Sequence, residues 1–296
     1  MATPGHIAVT NADQVEAAPR IILESGRQRQ TNRSSLHYYR PLKRRARIIE
    51  ESAPAGGAEL MGEISLPDVA LASFGDSMML EAVIGNDDRK KVSQNLLSDN
   101  PWRQICSLRI HSQSGQTFVG TAWFIAPKVL ATAGHCIFLQ EDGGWASSID
   151  VVPARFGTSA PFGTLKATRF AAVDGWTIQR SRDFDYGVIF LEDGTVGTKV
   201  GNFEVRVLPL AQLMGIDAKI SGYPADRDQA RFQYFHERPV QTVTATRLVY
   251  DVDTFGGQSG SPIWQDTEEN GLVAIGIHTT GGISSNSGTL INDAVL

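Results

Sequence analysis

The 296-residue chain is long enough for one or two globular domains, and 42% hydrophobic with 20% charged residues is an ordinary globular composition. A formal net charge of −5 argues against nucleic acid as a partner, and no apolar run approaches the ~18 residues that mark a membrane span. Two cysteines are too few for a disulfide framework or a four-cysteine metal site.

The N-terminus shows no pattern typical of a secretory signal. Its longest aliphatic run, Ile21 to Leu23, is ended by Glu24. Three expectations stay open: export by another route, an exported precursor that starts elsewhere, or a protein that stays inside the cell.

The first 81 residues form a region of distinct composition. They contain few aromatic residues, the polar stretch GRQRQTNRSS and a basic run from Arg40 to Arg47. The run lacks interleaved aromatic residues, so it favours a solvated segment over a nucleic-acid patch. The stretch ESAPAGGAE at 51–59 is typical of a linker. We therefore expect residues 1–81 to be a largely irregular extension in front of a folded domain over 82–296.

Short runs rich in β-branched and aromatic residues begin near residue 104 and are separated by Gly, Pro and Asp. Many such runs without intervening helical periodicity predict an all-β barrel or sandwich. The runs are QICSLRIH (104–111), TFVGTAWFIA (117–126), YGVIFL (186–191), AKISG (218–222), VQTVTATRLVY (240–250) and GLVAIGIH (271–278).

The stretch GGQSGSP, residues 256–262, neither packs a core nor forms a helix. It suits a nucleophile at Ser259, because glycines let the backbone approach a substrate and direct N–H groups at a developing oxyanion. The N–H groups of Gly257 and Ser259 are the expected donors. The spacing differs from the G-x-S-x-G elbow of α/β-hydrolases, and the β-rich surroundings lack the strand–helix alternation of that fold.

A serine hydroxyl needs a base to take its proton and a third group to orient that base. Among the six histidines, His135 stands where a short apolar strand runs into Ala-Gly-His-Cys. An acidic residue follows in SRDFDYGVIFL, where Asp185 precedes an apolar strand and Asp183 competes with it. The order His, Asp, Ser along the chain is one of the known triad orders.

Three motifs together, TAGHC, DYGVI and DTFGGQSGSP, resemble the trypsin-like serine peptidases. The stretches VIGNDDR, AWFIAPKVLATAGHC, SGYPAD and IHTTGG make the sequence similar, more narrowly, to the bacterial glutamyl endopeptidases. The resemblance covers roughly residue 82 to the C-terminus. It implies an all-β fold of two packed six-stranded antiparallel β-barrels, with the site in the cleft between them.

Carried over to this sequence, the resemblance makes Ser259 the nucleophile and His135 the general base, then the general acid. Asp185 becomes the residue that orients the imidazole, while Asp183 does not align with the family motif. The backbone N–H groups of Gly257 and Ser259 match the oxyanion hole. We expect protein or peptide substrates, a monomer, and no metal or organic cofactor.

Two interpretations of the specificity pocket stay open, and the first is cleavage after Lys or Arg. Asp253 lies six residues before Ser259, where digestive trypsins carry the Asp that receives a basic side chain. Two differences argue against it: no cysteine follows Cys136 to frame that pocket, and Gln258 replaces the Asp that trypsins use on activation.

The second interpretation is cleavage after Glu, and less readily after Asp. His278 and Thr254 match the family positions that bind a glutamate carboxylate, and a buried carboxylate needs such hydrogen-bond donors. Thr280 and Gly281 are expected to line the edge of the cleft. A non-catalytic binding protein on the same fold is an alternative function, which the retention of every catalytic position disfavours.

The junction MMLEAVIGNDDR predicts a secreted zymogen. Mature enzymes of the family begin near VIG, and their free α-amino group contributes to binding the substrate carboxylate. Cleavage between Glu81 and Ala82 would match the enzyme's own specificity and make Ala82 the new N-terminus. Residues 1–81 are then a propeptide; a permanent flexible arm is the alternative.

The family offers a precedent for a bridged cysteine at one of the two cysteine positions only. Cys136 follows the catalytic His position, where related enzymes often have a bridged cysteine, but the usual partner position near Val119 holds none. Cys106 lies on the preceding predicted strand, so we expect a Cys106–Cys136 disulfide rather than two thiols. The acidic turn QEDGG at 140–144 has too poor a ligand spacing to predict a calcium site.

Overall fold

Two antiparallel sheets hold most of the described chain, which comprises residues 5–11, 70–71, 82–268, 271–282 and 284–296 of this computed structural model. Among these residues, no helix is both long and apolar enough to cross a membrane. The strands are β1 (Ala8–Thr10), β2 (Ala70–Leu71), β3 (Lys90–Lys91), β4 (Ile105–His111), β5 (Thr117–Ala126), β6 (Val129–Thr132), β7 (Phe138–Leu139), β8 (Gly144–Trp145), β9 (Ser148–Pro153), β10 (Leu165–Ala167), β11 (Arg169–Val173), β12 (Gly187–Phe190), β13 (Glu204–Val205), β14 (Asp217–Gly222), β15 (Tyr234–Val243), β16 (Arg247–Tyr250), β17 (Pro262–Thr267), β18 (Gly271–Gly281) and β19 (Asn286–Leu290).

Helices in the described residues are short and connect strands. The α-helices are α1 (Gly134–Ile137), α2 (Asp174–Thr177) and α3 (Thr195–Val200). The 3₁₀ helices are Gln94–Ser98, Trp102–Gln104, Arg182–Phe184, Leu210–Gln212 and Asp228–Ala230.

The first sheet has the strand order β1-β11-β12-β6-β5-β4-β9-β10, with β2 parallel to β5. Thr168 alone separates β10 from β11, so one stretch pairs with β9 at its start and with β12 at its end. This stretch joins the two ends of the sheet, which therefore curves around its buried face.

The second sheet closes into a six-stranded ring in the order β18-β17-β14-β15-β16-β19, because β19 also pairs with β18. The short strand β13 pairs with β18 in parallel, and β3 pairs with β15. The prediction of an all-β fold is confirmed, and the second sheet contains the predicted closed six-stranded barrel, whereas the first sheet has nine strands and forms a half-barrel.

The sheets bury two apolar clusters, as the β-branched and aromatic runs predict, and the first cluster also includes Trp264, Ala274 and Ile277 of the second sheet. Burying a side chain of this size stabilises the fold by about 1.5–3 kcal/mol. The first core includes Leu108, Ile110, Trp123, Phe124, Leu130, Phe170 and Ile189, and the second includes Ile220, Leu248, Tyr250, Ile263 and Ile275.

One residue of β5 joins the two sheets beside the predicted site. The Thr121 hydroxyl donates to the Gly257 carbonyl over 2.8 Å and accepts the Tyr223 N–H over 3.1 Å. The Thr121 backbone N–H donates to the Ser259 carbonyl over 2.9 Å. The loop around Ser259 belongs to the second sheet, so these bonds hold it against the first.

The N-terminal region contributes strands that local sequence does not predict. Residues 8–10 extend the first sheet at β11, and residues 70–71 pair with β5. Residues 1–4, 12–69 and 72–81 of the predicted extension, Glu81 among them, lie outside the described part of the chain.

Candidate active site

His135 and Asp185 form a buried pair where two neighbouring strands of the first sheet meet. β6 pairs with β12, with Thr132 opposite Gly187, so the residues just beyond these positions lie close together. His135 Nδ1 is 2.7 Å from Asp185 Oδ2, and the His135 backbone N–H donates to Asp185 Oδ1 over 2.9 Å. These two contacts with one carboxylate fix both the position of His135 and the orientation of its imidazole ring.

The geometry separates the two acidic candidates. Asp185 is fully buried beside His135. Asp183 lies in a 3₁₀ helix, is half-buried and makes no hydrogen bond to His135 in the described structure. Asp185 is therefore the carboxylate that can orient the imidazole.

The charge of Asp185 changes the proton affinity of its partner. Burial lowers the pKa of the His135 imidazole, but Asp185 and, to a smaller extent, Cys136 together outweigh burial and hold this pKa well above its usual value of 6.5. The imidazole is therefore a stronger base than an isolated one, as proton abstraction from a hydroxyl requires.

Ser259 shares a buried neighbourhood with His135. The thiol of Cys136, the residue after His135, lies 3.6 Å from the Ser259 carbonyl, which also accepts the Thr121 N–H. His135 Nε2 is buried and has no hydrogen-bond partner within the described residues. Ser259 is 3% exposed and His135 is 2% exposed, so both residues are shielded from bulk water.

The backbone at Gly257 requires glycine. Its φ of +102° lies in the region that side chains disfavour, and an added Cβ would lie 2.5 Å from the Tyr223 carbonyl oxygen. The Gly257 carbonyl turns towards the Thr121 hydroxyl. The Gly257 N–H belongs to the peptide bond with Gly256, whose carbonyl accepts the Ala225 N–H over 2.8 Å. Hydrogen bonds therefore hold the backbone on both sides of Gly257, which is the preorganisation that an oxyanion hole needs.

The two predicted pocket residues are both fully buried. His278 lies in β18, where its carbonyl accepts the Gly260 N–H and its Nδ1 is 2.7 Å from the Tyr250 hydroxyl. The Thr254 hydroxyl is buried and has no hydrogen-bond partner among the residues described. Sequence alone does not identify Tyr250 as a partner of His278, because only the pairing of distant strands brings them together.

Thr280 and Gly281 continue β18 beyond His278 and are also buried. The Thr280 hydroxyl accepts a hydrogen bond from Arg247 Nη2 over 2.7 Å, and Arg247 Nη1 donates to the Arg182 carbonyl of the first sheet's loop over 2.8 Å. Arg247 therefore ties this edge of the cleft to the opposite sheet. The sequence does not reveal this contact.

Asp253 has partners of its own. Its Oδ1 accepts the Ile84 N–H over 2.8 Å, and its Oδ2 accepts the Asp88 N–H over 2.9 Å. The Asp253 N–H donates to His236 Nδ1 over 2.8 Å. The carboxylate is thus committed to the segment that follows residue 82, an arrangement that argues against its use for a substrate Lys or Arg.

Ala82 is held next to the predicted pocket. Its carbonyl accepts hydrogen bonds from Asn286 Nδ2 over 2.6 Å and from the Thr254 N–H over 3.2 Å. Its N–H donates to Asn286 Oδ1 over 3.0 Å. An N-terminus at Ala82 would therefore lie beside Thr254.

Arg89 supports the loop before Ser259. Its buried guanidinium donates hydrogen bonds to the carboxylates of Asp87 and Asp226. Its Nη1 also lies 3.4 Å from the Gln258 side-chain oxygen, and that oxygen accepts the Phe255 N–H. Hydrogen bonding from Arg89 holds the pKa of Asp87 well below its usual range. Sequence reasoning missed this network; the charged cluster in NDDR is its only local signal.

The expected disulfide is wrong: Cys106 and Cys136 are both free and buried. The Cys106 sulfur lies 3.7 Å from the Gln104 carbonyl, whereas the Cys136 sulfur lies 3.6 Å from the Ser259 carbonyl. The two side chains are directed to different neighbours. Complete burial also raises the pKa of the Cys106 thiol well above its usual value, so this sulfur is protonated and unreactive.

The two sheets and a serine loop packed against a His–Asp pair define the class of chymotrypsin-fold serine endopeptidases. The chain is 37% identical over 223 residues to a glutamyl endopeptidase of Bacillus licheniformis, covering 73% of this chain and 67% of the relative. It is 35% identical over 215 residues to an extracellular metalloprotease of Bacillus subtilis, covering 72% and 67%. The chain belongs to the glutamyl endopeptidase family. No protein-family model matches it.

Solved structures agree with this class. A Glu endopeptidase in complex with MPD superposes with a TM-score of 0.63 at 27% identity, covering 72% of this chain and 95% of that one. A thermostable serine protease from an extremophilic microorganism, AL20, gives a TM-score of 0.57 at 20% identity, covering 65% and 93%. At 20% identity, the similarity to AL20 shows a shared fold and nothing further.

The name of the Bacillus subtilis relative raises the question of a metal site. Among the described residues, Asp88, His236 and Asp253 have ligand atoms within 4.8 Å of one another. These atoms already have partners: Asp253 accepts two backbone N–H groups, His236 Nδ1 accepts a third, and Asp88 pairs with Arg238. A donor set engaged in this way does not fit a cation.

Proposed function

We propose that this serine endopeptidase cleaves after Glu, and less readily after Asp, through a Ser259–His135–Asp185 triad and an acyl-enzyme. The proposal depends mainly on one observation: the Asp185 carboxylate accepts hydrogen bonds from the backbone N–H and from the Nδ1 of His135. This fixes the tautomer with the proton on Nδ1 and leaves Nε2 as the base, in the same buried neighbourhood as Ser259.

In acylation, Ser259 Oγ attacks the carbonyl carbon of the scissile bond while its proton passes to His135 Nε2. The resulting imidazolium is stabilised by Asp185. When the tetrahedral intermediate collapses, the C–N bond breaks and His135 returns the proton to the leaving amine. Water then repeats the same steps on the ester and releases the acid.

The negative oxygen of both tetrahedral intermediates is bound by the N–H groups of Gly257 and Ser259. Support comes from the peptide bond that carries the Gly257 N–H, because its carbonyl, on Gly256, accepts the Ala225 N–H over 2.8 Å. The next carbonyl, on Gly257, accepts from the Thr121 hydroxyl of the opposite sheet. Donors that are already oriented need no reorganisation during the reaction, and removing one such donor typically costs about 10²–10³ in kcat.

The substrate Glu side chain enters a pocket formed by His278 and Thr254, with Thr280 and Gly281 along its edge. A carboxylate moved out of water needs donors, and the buried Thr254 hydroxyl is one that has no partner within the described chain. The Tyr250 hydroxyl at 2.7 Å from His278 Nδ1 fixes the orientation of the second donor.

Residues 1–81 are the propeptide of a secreted zymogen, and residues 82–296 are the peptidase domain. Cleavage between Glu81 and Ala82 creates an ammonium group beside Thr254, because Ala82 is already held there by Asn286. That charge adds to the pocket's affinity for Glu. The name of the Bacillus subtilis relative, an extracellular protease, supports secretion.

Active-site labelling tests the catalytic assignment. The full chain, after its own maturation, is treated with a fluorophosphonate and the adduct is mapped by mass spectrometry. We expect the adduct on Ser259, and a Ser261→Ala variant, which lacks the other serine of the loop, should label equally. An adduct on any other residue, or no adduct on processed protein, would overturn the triad.

A matched pair of variants tests the maturation site. Glu81→Gln should block processing and leave the chain weakly active, because Gln lacks the charge that the pocket binds. Glu63→Gln, in the same region, should leave the N-terminus of the mature protein at Ala82. N-terminal sequencing reads out both variants, and normal processing of Glu81→Gln would contradict the proposal.

A further inference from the structure

The first residues of the chain occupy an edge of the first sheet far from them in sequence. β1 pairs antiparallel with β11, with Ala8 opposite Val173 and Thr10 opposite Ala171. An edge strand presents unpaired N–H and C=O groups that an extended peptide can satisfy. β1 is therefore bound in the manner of a peptide ligand added to a sheet.

The backbone hydrogen bonds continue past β1 towards the N-terminus. The Asp174 N–H donates to the Ile7 carbonyl over 2.8 Å, and the Gly175 N–H donates to the Gly5 carbonyl over 3.1 Å. In return, the Ile7 N–H donates to Asp174 Oδ1 over 3.0 Å. The segment is thus bound along its length and not at β1 alone.

Side chains at both ends of the segment make the contact specific. Asn11 Nδ2 donates to the Thr168 carbonyl over 2.6 Å, and Asn11 Oδ1 accepts the Phe170 N–H over 2.8 Å. An Asn side chain satisfies both groups at once, because it carries one donor and one acceptor face. The position favours Asn over residues without an amide.

Gly5 and His6 contact the residues that flank Asp185. His6 Nδ1 is 2.5 Å from the Tyr186 hydroxyl, and its ring packs edge-on against Phe184. Gly5 has a φ of +83°, and an added Cβ would lie 2.4 Å from the Phe184 ring. Only glycine fits at this position, so the sequence Gly-His is recognised by shape.

We propose that residues 5–11 are a docking strand, and that the edge formed by β11, Asp174, Phe184 and Tyr186 is a peptide-binding site that retains this strand after the chain is cut. The inference concerns binding and stands whether or not the chain cleaves after Glu. Residues 12–69 link the docking strand to β2, so a single cut anywhere in that linker makes retention of the docking strand a complex of two chains.

The linker matters for the strength of the contact. A covalent connection supplies an effective concentration that favours the contact, and cutting removes it. Retention then depends on the affinity of the strand itself. The hydrogen bonds of the backbone, Asn11 and His6, together with the fit of Gly5, are the features that supply this affinity.

The test uses the full chain with Ser259→Ala, which prevents self-cleavage. A recognition sequence for an unrelated, sequence-specific protease replaces APAGG at 53–57, and the protein is cut there. At about 50 µM, a Kd of about 10 µM keeps most of the N-terminal fragment bound. Size-exclusion chromatography measures whether the fragment co-elutes with the rest of the chain.

Three variants separate the docking edge from other contacts. Gly5→Val and Asn11→Ala should release the fragment, because they block the fit against Phe184 and remove two hydrogen bonds. Ala8→Ser, at an exposed position of the same strand, should leave it bound. None of the three changes a residue of the proposed active site.

Hydrogen exchange of the uncut chain gives a second readout. The amides of Asp174, Gly175 and Phe170 should lose protection in Gly5→Val, while the amides of β16 in the other sheet should keep theirs. Release of the unaltered fragment after cutting would overturn the proposal. Retention of the Gly5→Val and Asn11→Ala fragments, with unchanged protection at these amides, would overturn it as well.

Discussion

Replacing Asp185 with Asn tests the geometry of the proposed triad at its most buried contact. The carboxylate accepts two hydrogen bonds, one from the His135 backbone N–H at 2.9 Å and one at Nδ1 at 2.7 Å. An Asn side chain has a single acceptor oxygen, so its NH₂ group must face one of the two nitrogens. Facing Nδ1 forces the imidazole proton onto Nε2, and the ring can then no longer accept the Ser259 proton.

The size of the effect follows from this change of tautomer. In serine peptidases a carboxylate-to-amide change of this kind lowers kcat by about 10⁴, which corresponds to about 5 kcal/mol of transition-state stabilisation. Folding should persist, because Asn fills the same volume and still bonds to the His135 backbone. Loss of the carboxylate also removes the larger of the two interactions that raise the pKa of His135.

The assay measures kcat on a chromogenic peptide ester or amide with Glu at the cleaved position, and circular dichroism checks the fold. The control is Asp183→Asn, which removes the neighbouring carboxylate and should change kcat by less than tenfold. An Asp185→Asn enzyme within tenfold of the unaltered enzyme would refute the argument. Equal losses in the two variants would refute the assignment of Asp185.

Four further results are expected. Gly257→Ala should lose about 10²–10³ in kcat or more, because a Cβ at φ +102° displaces the backbone that carries the oxyanion donors, and an unchanged kcat would contradict that role. Asp253→Asn should lower the free energy of unfolding by about 1.5–3 kcal/mol, measured in urea, without moving cleavage to Lys or Arg. Thiol titration of the unfolded, unreduced chain should count two thiols, Cys106 and Cys136, and none would restore the disulfide. Burial lowers the pKa of His6, although the charge of Asp174 opposes this shift. Docking of the cut fragment should therefore be strongest above pH 6.5 and weaken as the pH falls through the lowered pKa. A His6→Gln fragment should show no such dependence, and pH-independent retention of the unaltered fragment would contradict the prediction.

The catalytic core could be predicted from the sequence because each part carries a local signal. The glycines around Ser259 mark a backbone that approaches a substrate, and the strands before His135 and after Asp185 mark where those side chains emerge. Paired strands then bring the histidine and the carboxylate together, as the 2.7 Å contact between them shows.

Several contacts could not be predicted because they depend on distant parts of the chain. Asp253 looks like a specificity residue by its distance from Ser259 along the sequence, yet its oxygens bind the N–H groups of Ile84 and Asp88. The docking strand has no local signal, since the three residues of β1 are a strand only because an edge of the first sheet lies next to them.

The disulfide prediction failed for a related reason. A bridge needs the two sulfur atoms to face each other, and the order of strands says nothing about the direction of a side chain. In the structure, each sulfur lies against a different backbone carbonyl. The family precedent covered only one of the two positions, so it supplied no partner for Cys136.

The most direct test of the central claim is a cleavage map. An unfolded protein is digested with the matured enzyme, with Ser259→Ala as the control, and mass spectrometry identifies the new C-termini. The account predicts termini that end mostly in Glu, some in Asp, and none in the control. Termini that end mostly in Lys or Arg would contradict the pocket of His278 and Thr254, and termini in the control would contradict the nucleophile.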